Sequence, residues 1–145
     1  MASLIGIAFK TEKRGQMITV EQAEVTQAKG VENDIFGRPG KRQITVMSIQ
    51  KWRLACNEID NQLPWLTRRA NLLIDGLSFS SQDVGKQLII GKLILEITGE
   101  TDPCEKMEMA YPGLEQALMS DWRGGVTCRV ITGSNIKIDD NVELL

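Results

Sequence analysis

The sequence predicts a mainly β fold, a small β-barrel or strongly curved sheet with two or three short helices inserted between its strands. About eight short segments are apolar or alternate apolar and polar residues, and turn residues separate them closely. Helical periodicity is confined to a few short stretches, which does not fit a doubly wound parallel sheet. A chain of 145 residues with 42% hydrophobic residues is expected to form a single domain, residues 1–145, around one core.

The strands are predicted from short apolar or alternating runs that end at glycine, proline or polar turns. They fall at residues 4–9, about 17–25, 42–48, 71–75, two within 87–99, 126–132 and two within 133–145. Residues 28–41 contain three glycines and a proline without periodicity and are predicted to be a long loop. A loop of this length in a small domain usually has a function or is mobile.

Two helices are predicted. The first follows Ser48, which can cap it, and continues to about residue 60. Its apolar residues recur at spacings of three and four and form one stripe: Ile49, Trp52, Cys56 and Ile59. A second, shorter helix follows the proline and glycine at 112–113, with Leu114 and Leu118 on one face. Because Cys56 belongs to the apolar stripe of the first helix, it is expected in the core.

The composition excludes several classes of function. With 17 basic and 19 acidic residues the net charge is −2, so nucleic acid is not expected as a partner. No run approaches the roughly 18 apolar residues of a membrane span, and the first residues do not resemble a signal peptide, so the cytoplasm is the expected compartment. The absence of histidine removes the commonest general base and zinc ligand.

The three cysteines differ in their sequence surroundings. No CxxC pair occurs, so neither a disulfide framework nor a structural zinc site is predicted. Cys128 alternates with Val126 and Val130 and is expected in the core, as is Cys56. Cys104 lies in a polar segment, TDPCEKMEM, which is predicted to be a turn. It is either a thiolate that binds metal or carries sulfur, or a small residue that fills a turn.

Two arginine-bearing elements lie at strand entrances. They are RRAN at 68–71 and WRGGV at 122–126. Arginine forks and exposed backbone N–H groups suit phosphate or another oxyanion, but surface charge beside a turn explains the same residues.

The order of several segments resembles the MOSC domain family, whose best-known members include the C-terminal domain of molybdenum cofactor sulfurases. The segments are GRPGKRQITVMS, RRANLLIDGL, DVGKQLIIGKLILEITGETDPCEKM, PGLEQAL and RGGVTCRVITGSNIKIDD, from about residue 30 onwards. The resemblance implies a barrel of the pyruvate kinase barrel type. It also implies that Cys104 is the catalytic residue, as a molybdenum ligand or sulfur carrier. The residues implied to line the cleft for the molybdenum cofactor (molybdopterin) are Arg42, Gln43, Arg69, Asn71, Arg123, Gly124 and Gly125.

The chain departs from the family pattern in one loop. Family members often carry a GDRH-like element where this chain has Asn33, Asp34, Ile35 and Phe36, so that only Asp34 matches and the basic pair is missing. The reductases of the family also have additional segments that complete the cofactor site.

Three functions follow from these features. The first is an oxidoreductase in which Cys104 holds molybdenum, and which reduces N-hydroxylated small molecules with electrons from an external redox protein. The second is a persulfide carrier at Cys104 that receives sulfur from a separate donor and delivers it to a metallocentre. The third is a non-catalytic binding module that keeps the cleft without the chemistry.

Overall fold

The computed structural model describes residues 1–145 and contains eleven strands and three short helices. The strands are β1 (Ala2–Phe9), β2 (Ile18–Thr19), β3 (Gln22–Thr26), β4 (Gly30–Val31), β5 (Ile44–Ser48), β6 (Leu72–Asp75), β7 (Gln87–Ile90), β8 (Leu93–Glu100), β9 (Val126–Thr132), β10 (Ser134–Lys137) and β11 (Asn141–Leu144). The helices are α1 (Ile49–Glu58), α2 (Glu105–Ala110) and α3 (Leu114–Leu118), and single 3-10 turns lie at Trp65–Thr67 and Ser81–Asp83.

Seven strands form a closed barrel in the order β11-β7-β8-β9-β5-β6-β1. The barrel closes because β1 pairs with β11 as well as with β6. Only the pair β5–β6 is parallel, and α1 supplies part of the connection that a parallel pair requires. A separate three-stranded sheet, β10-β3-β4, packs its buried residues into the same core. The predicted mainly β barrel with short inserted helices is confirmed.

The barrel interior is filled by alternate residues of its strands. Leu93, Leu95 and Ile97 of β8 are fully buried, whereas the residues between them are partly exposed. A second apolar cluster lies outside the barrel, where the helices cover Met47 of β5 and Leu73 of β6. The two faces of β5 and β6 are therefore both buried, which explains their nearly continuous apolar sequence.

Helix α1 is close to its prediction. Ser48 caps it, since the Ser48 hydroxyl accepts a hydrogen bond from the backbone N–H of Lys51 at 3.4 Å. Trp52 and Cys56 face the outer apolar cluster, and the Trp52 indole N–H donates to the carbonyl of Leu63 at 3.0 Å. Cys56 and Cys128 are both buried, as expected.

Three local predictions need correction. The polar turn at Cys104 is followed by a helix, α2, which buries only Met107 and therefore has almost no apolar stripe to reveal it. The strand predicted at 17–25 is two strands, β2 and β3, in different sheets, and the loop at 28–41 contains the short β4. None of the helices is long and apolar enough to cross a membrane.

Candidate functional site

Residues that flank four barrel strands line one cleft of about 1260 Å³. The cleft walls come from the segments after β1 and β8 and from those before β5 and β6, together with Asp34 and Phe36 of the long loop. Loops at strand ends meet when a sheet closes into a barrel, which is how segments distant in sequence reach one site.

Five of the residues expected at a cofactor site line this cleft: Arg42, Gln43, Arg69, Asn71 and Cys104. The other three, Arg123, Gly124 and Gly125, are not part of its wall. The expectation that Arg123 converges on Cys104 is therefore not met, whereas Arg69 and Asn71 do converge on it.

The cleft is strongly cationic, although the net charge of the chain is −2. Its acidic residues are only Asp34 and Asp102. Its basic residues are Lys10, Lys13, Arg14, Arg42, Arg68, Arg69 and Lys106. None of these cations forms a salt bridge within the chain. An anionic ligand is the partner that this arrangement suits.

One of the cations, Lys10, is close enough to two others to be repelled by them. The pKa of Lys10 is lowered from its ordinary value, first by desolvation and then by the positive charges of Arg69 and Lys106. These residues come from three separate segments of the chain, so the repulsion is a property of the folded cleft. A bound anion would relieve the repulsion.

Arg68 supports the cleft from beneath. Its guanidinium is buried and donates hydrogen bonds from Nη2 to the carbonyl oxygens of Thr101 and Asp102, at 2.9 and 3.4 Å. Burial lowers the pKa of Arg68 from its ordinary value, and electrostatic interactions with Cys104 and then Asp102 partly oppose this shift. Arg68 therefore fixes the backbone that leads to Cys104.

Cys104 is the only exposed cysteine of the chain. It follows Pro103 and precedes the first turn of α2, at the cleft wall. No group of three or more His, Cys, Asp or Glu side chains could hold a metal ion by itself. A metal bound at Cys104 would therefore need further ligands that are not a cluster of these side chains.

The two amide side chains of the cleft hold neighbouring loops in place. The Gln43 Nε2 group donates to the carbonyls of Gln27 and Gly37, at 2.7 and 3.1 Å, and its Oε1 accepts from the backbone N–H of Val130 at 3.0 Å. All donors of this buried amide are therefore used within the protein. Gln43 joins the long loop to the barrel.

Asn71 has a similar role. Its Nδ2 group donates to the carbonyl of Ala8 at 3.1 Å and to the Asp34 carboxylate at 3.0 Å. Its Oδ1 accepts from the backbone N–H and the hydroxyl of Thr45, at 3.0 and 3.3 Å. Asn71 therefore connects β1, β5 and the long loop, and leaves ligand binding to the cations.

The RGG turn lies behind the cleft. Arg123 is mostly buried, contacts Glu58 at 2.9 Å and donates to the carbonyl of Ala117 at 3.0 Å. A Cβ added at Gly124 would lie 2.4 Å from the carbonyl oxygen of Thr101, so that only glycine permits this approach. The carbonyl of Gly125 accepts from the backbone N–H of Thr101 at 2.9 Å. The turn thus braces the segment that carries Cys104.

Sequence reasoning missed the cations after β1. Lys10, Lys13 and Arg14 line the cleft and belong to the segment KTEKRG, which follows the first predicted strand at residues 4–9. The sequence did contain a signal for them. The chain lacks the basic pair that the family often carries, and a group of cations occurs in another segment. These residues bring positive charge to the cleft from a different segment.

Arg69 lies over the ring of Phe36. The guanidinium carbon is 4.3 Å from the ring centroid, within the range of a cation–π contact. Phe36 occupies one position of the basic pair that family members often carry. At this position the loop therefore contributes an aromatic ring to the cleft.

Comparisons with solved structures show the same fold. The YuaD protein from Bacillus subtilis superposes with a TM-score of 0.80 at 19% identity, over 99% of this chain and 96% of that chain. YiiM from Geobacillus stearothermophilus gives 0.76 at 15% identity, over 100% and 75% of the two chains. YiiM from Escherichia coli gives 0.73 at 17% identity, over 99% and 69%.

A comparison with curated protein sequences gives no match. The family model for the MOSC domain matches residues 32–143, which is most of the chain and includes Cys104 and most of the cleft residues. The chain therefore belongs to the MOSC domain family.

Proposed function

We propose that the chain binds the molybdenum cofactor, a phosphate-bearing pterin, in the cationic cleft beside Cys104. The observation that carries this proposal is the group of cations without carboxylate partners around the one exposed thiol. Phosphate is a preferred partner of arginine and lysine, and thiolate is a soft ligand suited to molybdenum.

The residues present fit this group. Lys10, Arg69 and Lys106 would form an anion site, since the other two cations repel Lys10 and a phosphate would relieve this repulsion. The Cys104 sulfur would bind the metal, and the absence of a protein cluster of metal ligands agrees with a metal that arrives in an organic chelate. When bound, the cofactor supplies a redox-active metal centre.

The chain's own residues then orient the cofactor and hold its position. Arg68 fixes the backbone that precedes Cys104, while Gln43 and Asn71 fix the loops around the cations. We propose that this site reduces N-hydroxylated small molecules. The electrons would come from an external redox protein.

A second candidate function is supported by the accessibility of the cysteines. Cys104 is exposed while Cys56 and Cys128 are buried, so no second thiol of the chain can form a disulfide with sulfur carried at Cys104. In the carrier reaction the Cys104 thiolate attacks the outer sulfur of a donor persulfide. A persulfide forms at Cys104 and the donor leaves as a thiolate.

Both candidates are tested by comparing the wild type with Cys104→Ser, purified from a host that synthesises the cofactor. Molybdenum content, released pterin and protein-bound sulfane sulfur are measured. We expect Cys104→Ser to lose metal or sulfane sulfur while its melting temperature stays unchanged, because the residue is exposed. Metal and pterin in the wild type support the first function, and sulfane sulfur alone supports the second.

Two double variants that each remove two positive charges test whether the cleft cations bind the cofactor. Lys10→Gln/Lys106→Gln is expected to reduce retained pterin about tenfold, which corresponds to the loss of about 1.4 kcal/mol of binding energy. Lys92→Gln/Lys137→Gln removes the same charge from exposed sites outside the cleft and should change nothing. A wild type that holds neither pterin nor sulfane sulfur when supplied with both would favour the binding-module function.

A further inference from the structure

We infer that Arg69, held against Phe36, is a stacking platform for a planar heteroaromatic ring of the ligand. The cleft would then divide into a ring subsite at Arg69 and a phosphate subsite at the neighbouring lysines. This inference rests on the proposed function, which makes the ligand a phosphate compound. It adds that the ligand also carries a planar ring, which distinguishes it from other phosphates.

The geometry leaves the platform available. The Arg69 guanidinium carbon lies over the ring of Phe36, 4.3 Å from the ring centroid. The guanidinium has no hydrogen bond or salt bridge within the chain, and Arg69 is exposed and lines the cleft. No second ring lies against the guanidinium. Arginine planes stack on aromatic heterocycles as well as binding anions.

Hydrogen bonds hold the backbone at Phe36 and at the residue that follows it. The Asp34 carboxylate accepts from the backbone N–H of Phe36 at 3.4 Å and is itself held by Asn71 at 3.0 Å. The carbonyl of Gly37 accepts from Gln43 at 3.1 Å.

A close backbone approach completes this support. A Cβ added at Gly37 would lie 1.8 Å from the carbonyl oxygen of Lys29, so that the loop packs tightly here. The amide side chains of Gln43 and Asn71 do not bind the ligand themselves. They preorganise the loop that carries Phe36.

The phosphate subsite lies beside the platform. All three cations Lys10, Arg69 and Lys106 line the cleft, and Lys10 interacts electrostatically with each of the other two. A ligand that joins a planar ring to a phosphate can occupy both subsites at once, whereas a sugar phosphate can occupy only one. A phosphate-bearing pterin or purine is therefore the class of ligand that the cleft is built to select.

The inference is tested with two probes, GMP and ribose 5-phosphate, which carry the same phosphate and differ in the guanine ring. Guanine is chosen because it shares the amino-oxo-pyrimidine ring of pterins. Affinities are measured by titration calorimetry or NMR. We expect the wild type to bind GMP about tenfold more tightly than ribose 5-phosphate, the scale of one base stacked on a protein platform.

Four variants separate stacking from charge. Arg69→Lys keeps the charge and loses the plane, and Phe36→Leu removes the ring beneath it, so both should bring the affinity ratio close to one. Phe36→Tyr keeps an aromatic ring and should retain the ratio. Arg42→Lys alters another exposed arginine of the cleft and should weaken both probes without changing their ratio.

The outcomes distinguish this inference from the proposed function. Equal affinity of the wild type for both probes would overturn the platform and leave the anion cleft intact. A GMP preference that persists in Arg69→Lys and in Phe36→Leu would also overturn it, since the ring would be bound elsewhere. Failure of both probes to bind would contradict the anion cleft as well.

Discussion

At the scale of single residues, burial separates two kinds of thiol. Cys128 is completely buried in the barrel interior, and desolvation raises the pKa of its thiol far above its ordinary value of 9.0. Cys104 is exposed at the cationic cleft. The same side chain therefore serves as a small apolar group in one place and as an available sulfur in another.

The buried thiol makes the fold sensitive to alkaline pH. The folded-state pKa of Cys128 is raised, so its contribution to stability is present below the ordinary pKa and is lost as the pH rises above it. Between about pH 9 and pH 11 we expect the free energy of unfolding to fall by up to about 1.4 kcal/mol per pH unit from this group. Urea unfolding across this range measures the slope.

Cys128→Ala should be less stable at neutral pH and show a flatter alkaline slope, because no thiol remains to ionise on unfolding. Val130→Ala, on the same strand and also buried, makes a cavity without removing an ionisable group and should keep the wild-type slope. Parallel curves for wild type and Cys128→Ala would contradict this explanation.

At the scale of elements, the turn between α3 and β9 positions the cleft from outside it. Asp121 and Trp122 both have positive φ, at 56° and 57°, a strained conformation for such side chains. The turn brings Gly124 against the carbonyl of Thr101 and Gly125 against that of Val46. The strain is compensated by the contacts of the glycines, which hold the segment leading to Cys104.

Gly124→Ala should disturb this brace. The added Cβ would lie 2.4 Å from the Thr101 carbonyl oxygen and 3.1 Å from Nη2 of Arg68, so that the segment must shift. We expect a loss of about 1–3 kcal/mol in the free energy of unfolding, as in other overpacked sites. Urea unfolding measures the loss, and GMP titration should show weaker binding.

Gly99→Ala is the matched control. Gly99 lies in β8, has no positive φ, and an added Cβ would meet only the Thr127 hydroxyl at 3.5 Å, an ordinary contact. It should change stability little. Equal effects of the two substitutions would show that the close approach at Gly124 has no special importance.

The sequence predicted the long strands and α1 well, since their patterns come from burial on one or both faces. The split between β2 and β3 was missed because these strands join different sheets, a tertiary event without a local signal. The family resemblance implied that the RGG turn lines the cleft wall, whereas its glycines serve close packing behind the wall. Residue type alone does not distinguish these roles.

At the scale of the whole molecule, a chain with a net charge of −2 concentrates positive charge in one cleft. The cations come from segments near residues 10, 42, 68 and 106, so the charge density exists only in the folded state. Total charge could not predict it from the sequence, because most of the acidic residues lie outside the cleft. Folding therefore creates repulsion among the cleft cations, which a bound anion would reduce.

Phosphate should stabilise the fold more than chloride does at matched ionic strength. Both salts screen the cleft cations, but phosphate binds them, and a ligand that binds only the folded state raises its stability. At about 100 times its dissociation constant such a ligand adds about 2.7 kcal/mol. Melting curves in the two salts measure the difference, which Lys10→Gln/Lys106→Gln should abolish. An identical effect of phosphate and chloride on the wild type would contradict a specific anion site.

Closure of the barrel between β1 and β11 has a kinetic consequence. The pair joins Ala2 to Val142 and Ser3 to Asn141, so this contact of the barrel spans nearly the whole chain. Contacts of such high sequence separation slow folding, and domains dominated by them refold in milliseconds to seconds. The segment after β1 that brings Lys10 to the cleft is held by other long-range contacts, since Ile7 pairs with Leu72 of β6 and the carbonyl of Lys10 accepts from the backbone N–H of Ile35. Anion affinity should therefore return on refolding only when these long-range contacts have formed, and not with the local structure of the helices.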